Sequence, residues 1–382
     1  MLKNRDIIIF GDDWGFYPST IQHIGKILLK QNRIFWIGSL GLRKPKLQLY
    51  DIYRIFKKGR NIFIKNNNTK SSSPVIQLYP FILPFHDLKY IRKLNTISLL
   101  IFLKRKIIQY KIKNPILITS NPIIAEIIGK LGESSSHYIC LDDFTKFDGA
   151  FKSIEYLENK LLEKVDSSFS VSQKLIFSRV PKTGHSYYLP QGVDIEHFSP
   201  FDKSIPKTVA NLKRPIIGFF GLLTPWVDIE LIIETAKKFD NTTILLLGRT
   251  NIDISHISTI KNIVYLGEIP YDKLPSFAQV FDVGLIPFVV NNLTIAANPL
   301  KLLEYFALGI PVVSSKLPEV EKFNKYAYIA DDSESFINLI KTALDEDSRE
   351  KRNERRELAK RYSWYQITQN ISDKIIEIEN NK

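Results

Sequence analysis

The chain has 382 residues, 44% of them apolar and 24% charged, with a single cysteine and a net charge of +13. That length predicts two domains rather than one core, and that composition is the composition of a soluble globular protein. A disulfide framework is excluded, and the lone thiol, Cys140 in the apolar run YICL, fits a reducing compartment and reads as a packed core residue. No apolar run approaches the roughly 20 residues of a membrane span, and the N-terminal apolar stretch is too short for a signal peptide. A cytoplasmic location is expected, with peripheral contact on the inner face of the plasma membrane left open.

The charge is uneven. Residues 1–206 hold 31 Lys+Arg against 17 Asp+Glu, so the basic excess lies in the first half. Within it, residues 89–113 carry eight basic residues and no acidic one. This stretch can be read as a membrane-facing helix, a nucleic-acid arm or a merely solvated helix. No nucleic-acid motif accompanies it and aromatics are sparse there, so an anionic membrane surface is the expected partner and no nucleic acid is expected.

In chain order, DIIIFGDD (6–13) reads as a buried strand ending in acids, followed by a helix over 19–30 and the strand RIFWIGS (33–39). NNNTKSSS (66–73) is a polar loop. PILITS (115–120), the helix PIIAEIIGKLG, HYICLDD (137–143), a helix over 151–164 and the short strand SSFSVS (167–172) continue the alternation. The pattern restarts with PIIGFFGLL (215–223), a helix over 227–239, TTILLLG (242–248), NIVYLGEI (262–269), a helix over 272–280, VGLIPF (283–288), a helix over 299–308 and PVVSS (311–315). Alternating strands and helices predict parallel sheets covered on both faces. The expected division is an N-terminal domain 1–200, a linker 201–214, a second domain 215–360 and a terminal helix 361–382 returning towards the first domain. Two doubly wound domains would face each other across a cleft and bind ligands at the carboxyl ends of their strands.

The most informative stretch is NNLTIAANPLKLLEYFALGIPVVSS (291–315). Asn298 suits an N-cap and Pro299 a first helical position. A helix N-terminus exposes unpaired N–H groups and partial positive charge, so it suits a phosphate. Lys301 adds a full charge there, and Glu304, three residues on, shares its face. A carboxylate at that place can accept from a ribose diol while the lysine meets a diphosphate. The plainer alternative is an amphipathic helix with a surface ion pair.

Other candidates are fewer. Asp12 and Asp13 end the first strand, and Asp142 and Asp143 a later one. Either pair could orient or deprotonate an acceptor hydroxyl, or simply cap the next segment. His23 stands alone on the first helix, where it is either structural or catalytic. Asp13, His23, Asp142 and Asp143 are the catalytic candidates. No His, Cys or acidic spacing suggests a metal site, and neither a metal nor a bound cofactor is expected.

These pieces resemble, in order, the glycosyltransferases of family 4, retaining enzymes of the GT-B fold that use nucleotide sugars. The resemblance rests on FGDDWGFYPSTIQHIGKILLKQNRIFWIGSLGLR (10–43), CLDDFTKFDGA (140–150), SSFSVSQKL (167–175), YLPQGVDIEHFSP (188–200), NIVYLGEIPYDKLPSFAQVFDVGLIPF (262–288) and NPLKLLEYFALGIPVVSS. It implies a nucleotide sugar on the second domain, with Glu304 on the ribose, Lys301 on the diphosphate, and Asn292, Thr294 and Asn298 near the sugar. Gly221, Leu300 and Arg249 complete the expected donor site, Arg249 being equally readable as a surface residue. The first domain would hold a glycan, polysaccharide or lipid-linked acceptor. Two departures stand out: the family's other glutamate falls on Ala296, and the loop GLLTPWVDI (221–229) lacks the usual basic pair. They keep open a non-catalytic nucleotide-sugar-binding subunit, and a nucleotide-sugar 2-epimerase, which shares the architecture, is the other alternative.

Overall fold

The computed structural model describes residues 1–15, 18–38, 40–41, 74–147, 149–199 and 204–382. The polar loop expected at 66–73 and the end of the 10–43 stretch lie outside them. The chain forms two compact units, Met1–Leu189 with Ile367–Lys382, and Pro190–Gln366.

The first unit holds β1 (Asp6–Phe10), β2 (Arg33–Ile37), β3 (Ile76–Leu78), β4 (Ile116–Thr119), β5 (Ser135–Cys140), β6 (Ser167–Ser170) and β7 (Ser186–Tyr188). They form one sheet in the order β3-β2-β1-β4-β5-β6-β7, every neighbouring pair parallel. Ile7, Ile8, Ile9 and Phe10 of β1 are all fully buried, as a strand covered on both faces requires. The second unit holds β8 (Ile216–Phe220), β9 (Thr243–Leu247), β10 (Ile263–Tyr265), β11 (Val283–Ile286), β12 (Val312–Ser315) and β13 (Ala327–Ala330), in the order β10-β9-β8-β11-β12-β13, again all parallel.

The units divide eleven residues earlier than the sequence suggests, before Pro190 rather than after residue 200. The stretch 190–199 belongs to the second core: Val193 N–H donates to Tyr362 O at 2.9 Å, and buried Phe198 packs on Phe220 and Tyr271. The last helix runs Trp364–Asn380, and Ile367 onward belongs to the first unit. Its Glu379 accepts from Arg5 at 2.7 and 2.9 Å and from Ser134 and Ser135 at 2.6 and 2.9 Å. These charge-assisted bonds fasten the chain's end beside β1 and β5.

One local difference has a physical cause. PIIAEIIGKLG makes only a 3₁₀ turn, Pro122–Glu126, begun by Asn121 accepting from Ile123 N–H. Gly129 and Gly132, both at positive φ, stop it from lengthening. Strands β3, β7 and β13 lie outside the elements expected from the sequence.

The helix Lys89–Tyr110 buries only Asn95, Leu99 and Leu103. Its outer face exposes Tyr90, Leu94, Ile97, Ile101 and Ile108.

Candidate functional site

In a parallel sheet all carboxyl ends share one edge, so the loops after β8, β9 and β11 lie together. β8 runs into Gly221 at φ 135° and β9 into Gly248 at φ 140°. A Cβ on Gly248 would lie 1.9 Å from the Gly221 carbonyl oxygen, so only glycine lets these loops touch. Gly221 N–H donates to Leu247 O at 2.8 Å. The loop 222–228 is held on both sides, by a bridge from Leu223 to Thr250 and an antiparallel bridge from Val227 to Phe288.

The helix Leu300–Leu308 starts at this edge. Its N-cap is Pro299, which offers no side-chain acceptor. Asn298, expected as the cap, lies one residue too early, because the proline's fixed φ places the turn after it. Tyr305 anchors the helix from below: its buried hydroxyl accepts from Phe220 N–H at 3.2 Å and donates to Leu285 O at 3.3 Å. Gly309 at φ 81° ends it, as expected.

Lys301 and Glu304 are half-buried on this helix. The Lys301 ammonium lies 4.5 Å from the Phe288 ring centroid and 5.2 Å from that of Phe219. Its stem passes Gly221 so closely that a Cβ there would meet Lys301 Cε at 3.3 Å. Among the described residues neither charged group has a hydrogen-bond or ion-pair partner. Burial pushes Lys301 down to about 8 and Glu304 up to about 7, each opposed by the other's charge. Burial also raises Tyr271, and the Glu304 charge adds to it. Tyr271 stacks on His197 at 4.2 Å. An ammonium beside a helix N-terminus and a carboxylate one turn on can receive an anion and a pair of hydroxyls.

The remaining donor candidates sort differently. Arg249 is exposed next to Gly248, and its carbonyl accepts from Leu223 N–H. Leu300 is half-buried and Asn292 exposed. Thr294 is taken up within its own loop: it is 1% exposed, and its hydroxyl donates to Val289 O at 2.7 Å and accepts from Asn291 N–H at 2.9 Å. It braces the loop. Ala296 is likewise buried in the turn Thr294–Ala296.

In the first unit, Asp12, Asp13, Asp142 and Asp143 follow β1 and β5, two strands apart on one sheet edge and so about 10 Å apart. Asp12 accepts from Gln22 at 3.0 Å, and burial raises its carboxyl. Asp13 is exposed. Asp142 is half-buried with no carboxylate partner among the described residues; burial, and then the Asp143 charge, push it up to about 7. Asp143 is not free for catalysis. It is 5% exposed, accepts from Thr145 N–H and hydroxyl at 3.3 and 2.6 Å, and pairs with Arg179 at 2.8 Å. Its burial would raise it, but Thr145 and Arg179 outweigh that and hold it low. Arg179 also reaches buried Glu158 at 3.2 Å, which accepts from Tyr138 at 2.6 Å. His23 is 7% exposed on the inward face of Thr20–Leu28, a packed position.

Sequence reasoning missed Phe219, Phe288, Tyr271 and Arg179. Only GLIPF, a strand running straight into Pro-Phe at the ligand edge, carried a signal for one of them. Among the described residues no group of three or more His, Cys, Asp or Glu is placed to hold a metal, and no helix is long and apolar enough to cross a membrane.

Residues 214–346 match the family described as Glycosyl transferases group 1. The chain is 28% identical over 228 residues to the putative teichuronic acid biosynthesis glycosyltransferase TuaH of Bacillus subtilis, covering 56% of this chain and 57% of TuaH. The chain therefore spans little more than half the length of that curated relative. Among solved structures, sucrose-phosphate synthase from Thermosynechococcus elongatus superposes with a TM-score of 0.73 at 12% identity, over 99% of this chain and 100% of that one. HepE from Anabaena in complex with UDP-glucose gives 0.65 at 13% identity, over 97% and 99%. The two parallel sheets are thus the Rossmann-like domains of a GT-B fold.

Proposed function

We propose, on the premise that residues 214–346 are a group 1 glycosyl transferase domain, that the chain is a retaining glycosyltransferase of the family 4 type. It would take its sugar from a nucleoside diphosphate sugar and pass it to a glycan, polysaccharide or lipid-linked acceptor of the cell envelope. The observation that carries this reading is the unpartnered Lys301–Glu304 pair at the start of Leu300–Leu308, on the ligand-binding edge of the family-matched unit. HepE holds UDP-glucose on the same fold.

In this reading the helix N-terminus and Lys301 take the diphosphate, and Glu304 accepts from the ribose hydroxyls. The 291–298 loop, braced by Thr294, borders the sugar through Asn292 and Asn298, with Gly221, Leu300 and Arg249 around the phosphates. Breaking the glycosidic bond leaves negative charge on the diphosphate, which Lys301 and the helix dipole stabilise. In this reading Glu304, at the second position of the family's glutamate pair, is engaged by the ribose and Ala296 stands at the first, so the pair offers no carboxylate as a covalent nucleophile. The departing phosphate oxygen then takes the acceptor proton on the same face, and no metal or further cofactor is needed. The first unit holds the acceptor, with Asp142, unpartnered and near neutrality, orienting its hydroxyl.

The helix Lys89–Tyr110 fits a peripheral place on an anionic membrane. It exposes an apolar stripe at helical spacing, Tyr90, Leu94, Ile97, Ile101 and Ile108, among the basic residues of 89–113.

The test is incubation with radiolabelled nucleotide sugars and lipid extract, with and without EDTA. Transfer that survives EDTA supports the reading. Conversion of the donor without an acceptor makes the chain an epimerase instead. UDP binding with neither makes it a binding subunit, and Glu304→Ala binding UDP as tightly as the wild type removes the ribose role.

A further inference from the structure

We propose that Phe288 and Phe219 are positioning residues for Lys301, an aromatic cradle that fixes its ammonium group at the start of Leu300–Leu308. That the cradled group meets a donor diphosphate rests on the reading above; the cradle itself rests on distances.

The ammonium lies over the Phe288 ring at 4.5 Å and over the Phe219 ring at 5.2 Å, both inside the range of cation–π attraction. The rings close two sides and exclude water from them. The third side is Gly221, whose missing Cβ leaves the stem its passage. Among the described residues Glu304 is the charged group whose field acts on Lys301. A lysine stem has many rotamers, and a group fixed before binding loses less freedom when its ligand arrives.

The cradle is itself held. Phe219 is fully buried within β8. Phe288, 7% exposed, is placed by the loop 222–228. Val227 bridges it, Asp228 N–H donates to Pro287 O at 2.8 Å, and Val289 N–H donates to Trp226 O at 2.9 Å. That loop carries no Lys or Arg. Here its work is to hold an aromatic ring under the lysine rather than to bring a cation of its own.

Ordinary packing would be served equally by any apolar side chain of similar volume, and this separates the two readings. The full-length protein is prepared as wild type, Phe288→Leu, Phe288→Tyr and Lys301→Met. UDP binding is measured by calorimetry and the Lys301 titration by NMR of labelled lysine. Phe288→Leu is expected to weaken UDP about tenfold at an unchanged melting temperature. Lys301 in that variant is expected to titrate at lower pH, since burial remains and the ring's attraction for the charged form is gone. Phe288→Tyr restores both. Wild-type affinity and an unchanged titration in Phe288→Leu overturn the cradle while leaving the nucleotide site standing. If Phe288→Leu does not fold, the wild-type spectrum decides. Lys301 side-chain signals moved upfield by two ring faces support the cradle, and unshifted signals overturn it. Equal UDP binding by wild type and Lys301→Met, or none by either, removes the donor reading, and with it the cradle's ligand.

Discussion

The two units each keep charge out of water, and they do so in opposite ways. In the first, Arg179 sits between Asp143 and Glu158; Thr145 donates to the same Asp143 oxygen, Oδ1, and Tyr138 to the other Glu158 oxygen, Oε1. In the second, Lys301 and Glu304 lie half-buried on one helix face with no hydrogen-bond or ion-pair partner among the described residues. A network whose charges already answer one another inside the protein holds structure together. An unsaturated pair is costly in the free protein and becomes useful when a ligand supplies what is missing. The same contrast separates neighbours in sequence, with Asp143 consumed and Asp142 open.

The contrast would break first at Arg179. Arg179→Met leaves two buried carboxylates unpaired, and a loss of about 3–5 kcal/mol in urea unfolding is expected. A loss under 1 kcal/mol would mean that the network is wetter and looser than the structure shows.

Glu304→Gln sharpens the other side. UDP affinity should fall about 10- to 100-fold, equivalent to about 1.5–3 kcal/mol for bonds to a charged group. Stability should respond in the opposite sense. Because Glu304 titrates higher in the folded chain than unfolded, folding binds a proton between roughly pH 4.5 and 7, and stability falls as pH rises through that window. Unfolding at pH 5 and pH 7.5 should show that fall reduced by about 1 kcal/mol in Glu304→Gln, after allowance for partial exposure.

Asp142→Asn should lower turnover about 10- to 100-fold at a roughly constant KM for the donor, as loss of a group that orients the acceptor hydroxyl does. A variant with full turnover over pH 6–8 would remove Asp142 from the chemistry. The smallest structural effect is expected on the helix Lys89–Tyr110. Ile97→Ser with Ile101→Ser, at positions about half exposed, should move stability by no more than about 0.5 kcal/mol each. Sedimentation with phosphatidylglycerol vesicles should nonetheless drop, and vesicle binding at the wild-type level would show that the stripe does not touch lipid.

Much of the site was legible because its signals are local. A charged pair three apart in an apolar helix, a proline at the helix start and a glycine at its end are all read within a dozen residues. What was misread depends on which partners the folded chain brings within reach. Asp143 looked as free as Asp142 because Arg179 lies 36 residues on. Thr294 looked like a ligand-facing hydroxyl because nothing in NNLTIAANP says that Val289 O will accept its hydrogen bond. Asn298 has every preference of an N-cap, and the proline after it took the position.

By itself the sequence determined the alternation of strand and helix, the restart of that pattern, the basic surplus of the first half and the chemical types at the helix start, since periodicity, charge and cap preference are properties of neighbours. Only the tertiary structure decided which charged groups are satisfied and which are left open. That depends on burial and on contacts such as Lys301 with Phe219 and Phe288, made when distant strands end on the same edge of a sheet.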